Sequence, residues 1–319
     1  TRFRHYGDAD SSYLPGYAVY FIAGPVTVAY KQREDASGTM RPDFIDAGQN
    51  PPNGVIVHYW LREKPDHPVT LRFLDEQGEV VRILTSDSEK PPHAPAAAGA
   101  NRFVWDMRYE RPAKLEGDKP HGPFENEDAD AGVAPLAAPG RFQAQLVVGD
   151  VTLTQPFAIV KDPRLSASDA DLVEQFTLKR AIRDKVNEEH EAVNQIRRVR
   201  KQLDGWEERA KALGGEQGER LIGAIKPLQE QLTAAEGAFI NLDAAKLVPG
   251  AARLDERLAT LSGMIDESDD RPTRAAHEVF AAISEDVGVA LRNWHQLRDG
   301  EVRQFNELVR AENLPALGA

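Results

Sequence analysis

Apolar and polar positions alternate in short runs through the first half of this 319-residue chain, then recur at steps of three and four through the second half. The change of texture falls near Asp162-Pro163. Val69, Leu71 and Phe73 alternate with Thr70 and Arg72, and Phe142, Ala144, Leu146 and Val148 alternate with Gln143, Gln145 and Val147. A period of two turns one face of a strand toward a core. Asp75-Glu-Gln-Gly78 separates the runs 69–74 and 79–85, and Gly149-Asp150 separates Val148 from a run opening at Val151; both read as tight hairpins. Further strands are expected over 54–62 and 102–109, the second with Phe103, Trp105, Met107 and Tyr109 on one face. Two interruptions, 86–100 and 112–138, are rich in Pro, Ala and acids and read as exposed loops. Six strands with turn signals between them predict an immunoglobulin or fibronectin-III-like β-sandwich over residues 51–164. Residues 1–50 form an N-terminal extension. Strands are expected there at Tyr17–Ala23 and Val26–Lys31, too few for a domain of their own.

The second half is helical. Ser168 followed by Asp171 supplies an N-cap and an early acid. Leu172, Phe176, Ile182, Val186, His190, Val193, Ile196, Val199, Leu203 and Trp206 then form one stripe, with a gap at Lys179. Gly214-Gly215 ends this helix. A second is expected over 217–242 with a kink or restart at Pro227, and a third over 251–266 with Leu254, Leu258, Leu261 and Ile265 inward. A last helix, 273–312, carries Val279, Phe280, Ile283, Val287, Leu291, Trp294, Leu297, Phe305 and Leu308 on one face. Two long helices with two shorter ones between them predict an antiparallel α-helical bundle over 165–319, and an α+β multidomain chain as a whole.

Charge narrows the classes of partner. The net charge is −12, and both parts are mildly acidic: 21 basic against 28 acidic side chains from Ser166 onward, 18 against 23 before it. Neither part offers the basic surface that nucleic acid needs, and no apolar run is long enough to span a bilayer. Cysteine is absent, which excludes disulfides and thiolate chemistry. The chain opens at Thr1 with no signal peptide, so it is expected to be processed or to be a piece of something longer.

Local chemistry is sparse. His190-Glu191-Ala192-Val193-Asn194 matches the start of a zinc-protease helix, but Asn194 stands where the second histidine must be. His190 lies in the apolar stripe and reads as a core or core-edge histidine. Arg197-Arg-Val-Arg-Lys201 is flanked by acids and reads as surface ion pairs, with partner docking as the alternative. Glu125–Asp130 lacks the ligand order of a calcium loop. No nucleophile elbow, phosphate loop or dinucleotide fingerprint occurs. No catalytic residue, metal ligand set or cofactor is therefore expected. The aromatics Tyr59, Trp60 and Trp105, with Asp106 and Arg108, are the candidate ligand-binding residues. Trp105 also reads more simply as the aromatic centre of the sandwich.

The segments NPPNGVIVHYWL (50–61), VTLRFLDEQGEVVRIL (69–84), NRFVWDMRY (101–109), APGRFQAQLVVGDVTLTQPFAIVKDPR (138–164) and FNELVRAENLPAL (305–317) resemble the C-terminal region of bacterial BNR-repeat, sortilin-like β-propeller proteins. Such proteins are often labelled glycosyl hydrolases. The run 69–84 is also similar to the Ig-like domain of flagellar hook-capping proteins. The sequence has no Asp-box repeat, so the propeller itself is absent, and Thr1–Tyr6 is where one is expected to end. The resemblance carries over no catalytic residue. It implies a secreted or periplasmic accessory module that braces the upstream propeller or docks another protein. Carbohydrate binding is the alternative, and a glycoside hydrolase using Asp106 ranks after it.

Overall fold

A computed structural model describes residues 30–34, 40–44, 54–89, 91–117, 134–242 and 252–312. The strand expected at Tyr17–Ala23 and the acidic run Glu125–Asp130 lie outside the described residues, as does the strand at Val26–Lys31 apart from Tyr30 and Lys31. The chain is α+β. It divides into two compact units, one comprising 1–108, 137–169 and 267–269, the other 109–136, 170–266 and 270–319.

The first unit holds the strands. β1 (Tyr30–Glu34) pairs with β2 (Met40–Phe44). β3 (Val55–Leu61) pairs with β6 (Gly99–Trp105) as a two-stranded antiparallel sheet. β4 (Val69–Leu74), β5 (Val80–Thr85), β7 (Gly140–Val148) and β8 (Val151–Ile159) form an antiparallel sheet in the order β5-β4-β7-β8. The alternation in β4 works as the pattern predicts, with Val69, Leu71 and Phe73 fully buried. Both hairpins follow from turn chemistry. The Asp75 carboxylate accepts from the amides of Gln77 and Glu79 at 3.0 and 2.9 Å. Gly149, with φ of 55°, opens the two-residue turn that lets Val148 face Val151.

Trp105 is the centre of this unit. Its ring stacks on Phe73 at 4.5 Å and meets Phe142 and Phe157 edge-on at 6.1 and 6.3 Å. The indole N–H donates to the Arg108 carbonyl at 2.9 Å, so the buried polar atom is satisfied.

The strand expected over 102–109 is displaced. β6 spans 99–105, and Met107 takes a φ of 62°, which no strand accommodates. Met107 is still buried, but Tyr109 belongs to the second unit and meets Phe176 at a ring separation of 4.8 Å and a tilt of 50°. In β7 only Phe142 of the four expected inward residues is buried, the others being half-buried. β8 pairs only with β7 among the described residues, and Val151 and Leu153 remain 60% and 62% exposed.

The second unit holds α1 (Asp169–Leu213), α2 (Gly215–Phe239), α3 (Leu254–Asp266), α4 (Arg274–Leu297) and α5 (Arg303–Ala311). One apolar core joins all five. Polar contacts along α1 set the directions. Asp204 and Glu207 of α1 accept from Gln229 of α2, while Arg197 meets Glu236, so α2 runs antiparallel to the distal half of α1. Gln175 and Lys179 reach the last turn of α3, and His190 its first, so α3 runs antiparallel to the proximal half. The α1–α2 corner is tight: a Cβ on Gly218 would fall 2.4 Å from the Ala210 carbonyl oxygen. Pro227 lies inside α2 without ending it.

Lys179 interrupts the apolar stripe but not the packing. It is buried, and its three ammonium protons serve Ser262 O at 3.0 Å, Ser262 Oγ at 2.6 Å and Asp266 Oδ2 at 2.8 Å. With Gln175 donating to the Ile265 carbonyl at 2.9 Å, α1 satisfies carbonyls that the end of α3 leaves unpaired.

The expected last helix carries one extra residue. A π-helical turn, Arg298–Val302, joins α4 to α5. An unbroken α-helix would bring Arg298 and Glu301 under Trp294, four and seven residues on. The π turn rotates them outward, where both are exposed, and sets Val302 five residues after Leu297 against the core. Val279, expected inward, is 46% exposed; Ile283, Val287, Ala290 and Trp294 form the buried line instead. Deleting Gly300 is expected to close the turn into regular α-helix and leave stability within about 1 kcal/mol of the parent, or above it. Deleting Glu285 rotates the buried line by one residue and is expected to unfold the unit. Thermal denaturation of the two deletions checks this, and equal losses would disprove it.

Candidate functional site

The two-stranded β3–β6 sheet sorts the candidate ligand-binding residues by face. Register pairs Ile56 with Val104, His58 with Arg102 and Trp60 with Ala100. Period-two alternation puts these six on one face, and Val55, Val57, Tyr59, Leu61, Phe103 and Trp105 on the other. The first face is the outward one. Trp60 is 66% exposed, Ile56 39%, and His58, Ala100 and Arg102 are exposed beside them. Ala100 opposes Trp60 with only a methyl group, leaving the indole uncovered. Arg102 is the diagonal cross-strand neighbour of Trp60 and His58 its same-face neighbour two residues back on β3, and no acid stands among the six positions.

Trp105, Tyr59 and Asp106 have other work. Trp105 is 1% exposed within the aromatic core. The Tyr59 hydroxyl donates to the Pro95 carbonyl, and burial pushes its pKa up to about 12. Asp106 is exposed, and its carboxylate accepts from the Arg108 amide at 3.0 Å, closing the turn after β6. The structure thus separates Trp60 from the other four candidates and joins it to His58, Arg102 and Ile56. Arg102 is brought there by cross-strand register, which sequence does not mark, whereas Ile56 and His58 precede Trp60 by four and two residues on the same strand and alternation alone puts them on its face.

The Asn187–Asn194 stretch of α1 is a second polar constellation. It grips the main chain of the extended segment 109–117. Asn187 Oδ1 accepts from the Ala113 amide at 2.8 Å. Asn194 receives the Glu116 amide at 2.7 Å and donates to the Lys114 carbonyl at 2.8 Å. Arg183 and Arg197 donate to the Glu110 and Glu116 carbonyls. His190 is buried as the stripe predicts, with Nδ1 2.5 Å from the Ala113 carbonyl and Nε2 3.1 Å from Asp255. Both partners are acceptors, so the ring donates to both only when doubly protonated. Asn194 stands at the second zinc-ligand position because an amide can donate and accept at once, as a strand of main chain requires. Among the described residues, no three His, Asp or Glu side chains are placed to share a metal ion.

The basic run beyond it is paired. Arg197 and Arg200 flank the buried Glu236 at 2.7 and 2.5 Å, and Arg198 meets Glu116 at 2.5 Å. A cavity of about 690 Å³ opens beside these pairs, lined by Arg197, Arg200, Lys201, Glu236, Asp255 and Glu256 among others. Its mixed signs select no single ligand charge. No described helix is long and apolar enough to cross a membrane.

No family model, curated protein or solved structure matches this chain.

Proposed function

We propose that this chain is a non-catalytic accessory module that docks a partner through the outward face of β3 and β6. The observation that carries this is Trp60, a large aromatic 66% exposed on the outward face of the β3–β6 sheet, with Ile56 and Val104 as apolar neighbours and His58 and Arg102 as donors. Exposed tryptophan and arginine are the residue types that dominate binding energy at interfaces. The stacking of Trp105 on Phe73 supports reading the strand unit as an Ig-like sandwich. In the setting that the sequence resemblance implies, the partner is an upstream BNR, sortilin-like β-propeller, and the protein is secreted or periplasmic.

The same indole favours one second reading, a glycan platform, since a bare aromatic face stacks on sugar rings while His58 and Arg102 hydrogen-bond hydroxyls. Titration calorimetry against the protein region encoded upstream of Thr1, and against a panel of oligosaccharides, separates the two. Trp60→Ala is expected to weaken binding at least about tenfold while leaving the denaturation midpoint unchanged. Binding of the upstream region that is indifferent to this substitution would refute the docking reading. Sugar binding that Trp60→Ala removes would put the glycan reading first. Turnover of glycosides, lost in Asp106→Asn, would overturn both.

A further inference from the structure

We propose that Glu189, His190 and Asp255 form a proton-held latch that fastens the 109–117 segment to α1 and releases it as the solution becomes alkaline. The chain of contacts is short. The Ala113 carbonyl meets His190, His190 meets Asp255 at the first turn of α3, and Asp255 lies beside Glu189. Glu189 is fully buried, and neither carboxyl oxygen has a hydrogen-bond partner among the described residues. An ionised carboxylate in that position would be desolvated and next to a second negative charge. The group accordingly keeps its proton to about pH 9, held there first by burial and then by the charge of Asp255; the nearby Asp255 amide offsets only part of this.

Among the described residues, the other charged groups around the pair are engaged elsewhere or exposed. On the 109–117 segment, Lys114 is exposed and Glu116 is paired with Arg198. On α2, Glu236 is held by Arg197 and Arg200. On α3, Glu256 accepts from the Arg253 amide. On α1 itself, Glu188 pairs with Lys185, and Glu191 accepts from Asn187. Loss of the Glu189 proton drives Asp255 away. That movement breaks the Asp255 contact that braces the His190 ring against the Ala113 carbonyl.

The chain carries its own reporter. Lys114-Leu115 is a tryptic site inside the fastened segment, whereas Arg111 is protected by Pro112. The measurement is the rate of tryptic cleavage at Lys114 in the full chain between pH 7.5 and 10, divided by the rate in a free peptide of the same sequence. That ratio is expected to rise roughly tenfold or more as Glu189 ionises, with helical circular dichroism unchanged. Glu189→Gln is expected to hold it flat, and Asp255→Asn to reduce the rise. A flat ratio in the parent chain, or an equal rise in Glu189→Gln, overturns the latch. So does a rise that runs in parallel with loss of the helical signal, because that is global unfolding.

Discussion

Replacing Trp294 by alanine is expected to cost about 3–5 kcal/mol of stability. Trp294 is 1% exposed, in the middle of the buried line of α4, between Ala290 and Leu297. Its indole N–H donates to Gln195 of α1 at 3.3 Å, so the substitution also strips a partner from α1. α1 and α4 meet at this point, and a close-packed core refills the volume of a tryptophan only in part. Val279→Ala on the same helix is the matched control. At 46% exposure it should stay within about 0.5 kcal/mol of the parent. Chemical denaturation of the two variants measures the difference. Equal midpoints would mean that Trp294 faces solvent or a partner in solution.

The contrast between these two residues also shows how far a hydrophobic pattern reaches. Both belong to the same apolar stripe in sequence, because Val279 and Phe280 are adjacent and either can lead it. Only the path of the neighbouring helices chooses Phe280. The helices, the hairpin turns at Asp75–Gly78 and Gly149-Asp150, and the inward face of β4 were legible because each is set by local chemistry or by period. The π turn left a trace, the five-residue step from Leu297 to Val302, which reads as a break in period rather than as an element. Lys179 was legible only as a gap, since a pattern records polarity and not whether three acceptors wait in the core. The early end of β6 rests on the conformation of Met107, a residue that rarely takes positive φ, so nothing in its type announces it. The grip of α1 on 109–117 joins residues 73 to 82 positions apart, and no local signal marks either end. At the outward sheet face, sequence supplied Trp60 but not its cross-strand neighbours. Alternation already required Tyr59 and Trp60 to point opposite ways, so one of the two had to leave the ligand set.

Glu189→Gln is expected to do the opposite of Trp294→Ala and raise stability at neutral pH, by about 3 kcal/mol. In the unfolded chain this carboxyl ionises near its ordinary value of 4.5, whereas burial holds it protonated to about 9 in the fold. Folding therefore takes up a proton anywhere between those values. Below 4.5 both states are protonated and there is no penalty. From 4.5 upward the penalty grows by about 1.36 kcal/mol per pH unit, and above 9 it is constant. Glutamine keeps the size of the side chain and its neutral form, and it removes the pH-dependent part. The gain should accordingly be small at pH 5, near its quoted size at pH 7, and larger at pH 8.5. Denaturant titrations of parent and variant at those three pH values test this. A gain that does not grow with pH would show that Glu189 ionises in the fold like an exposed carboxylate, and that a partner for its charge lies within reach.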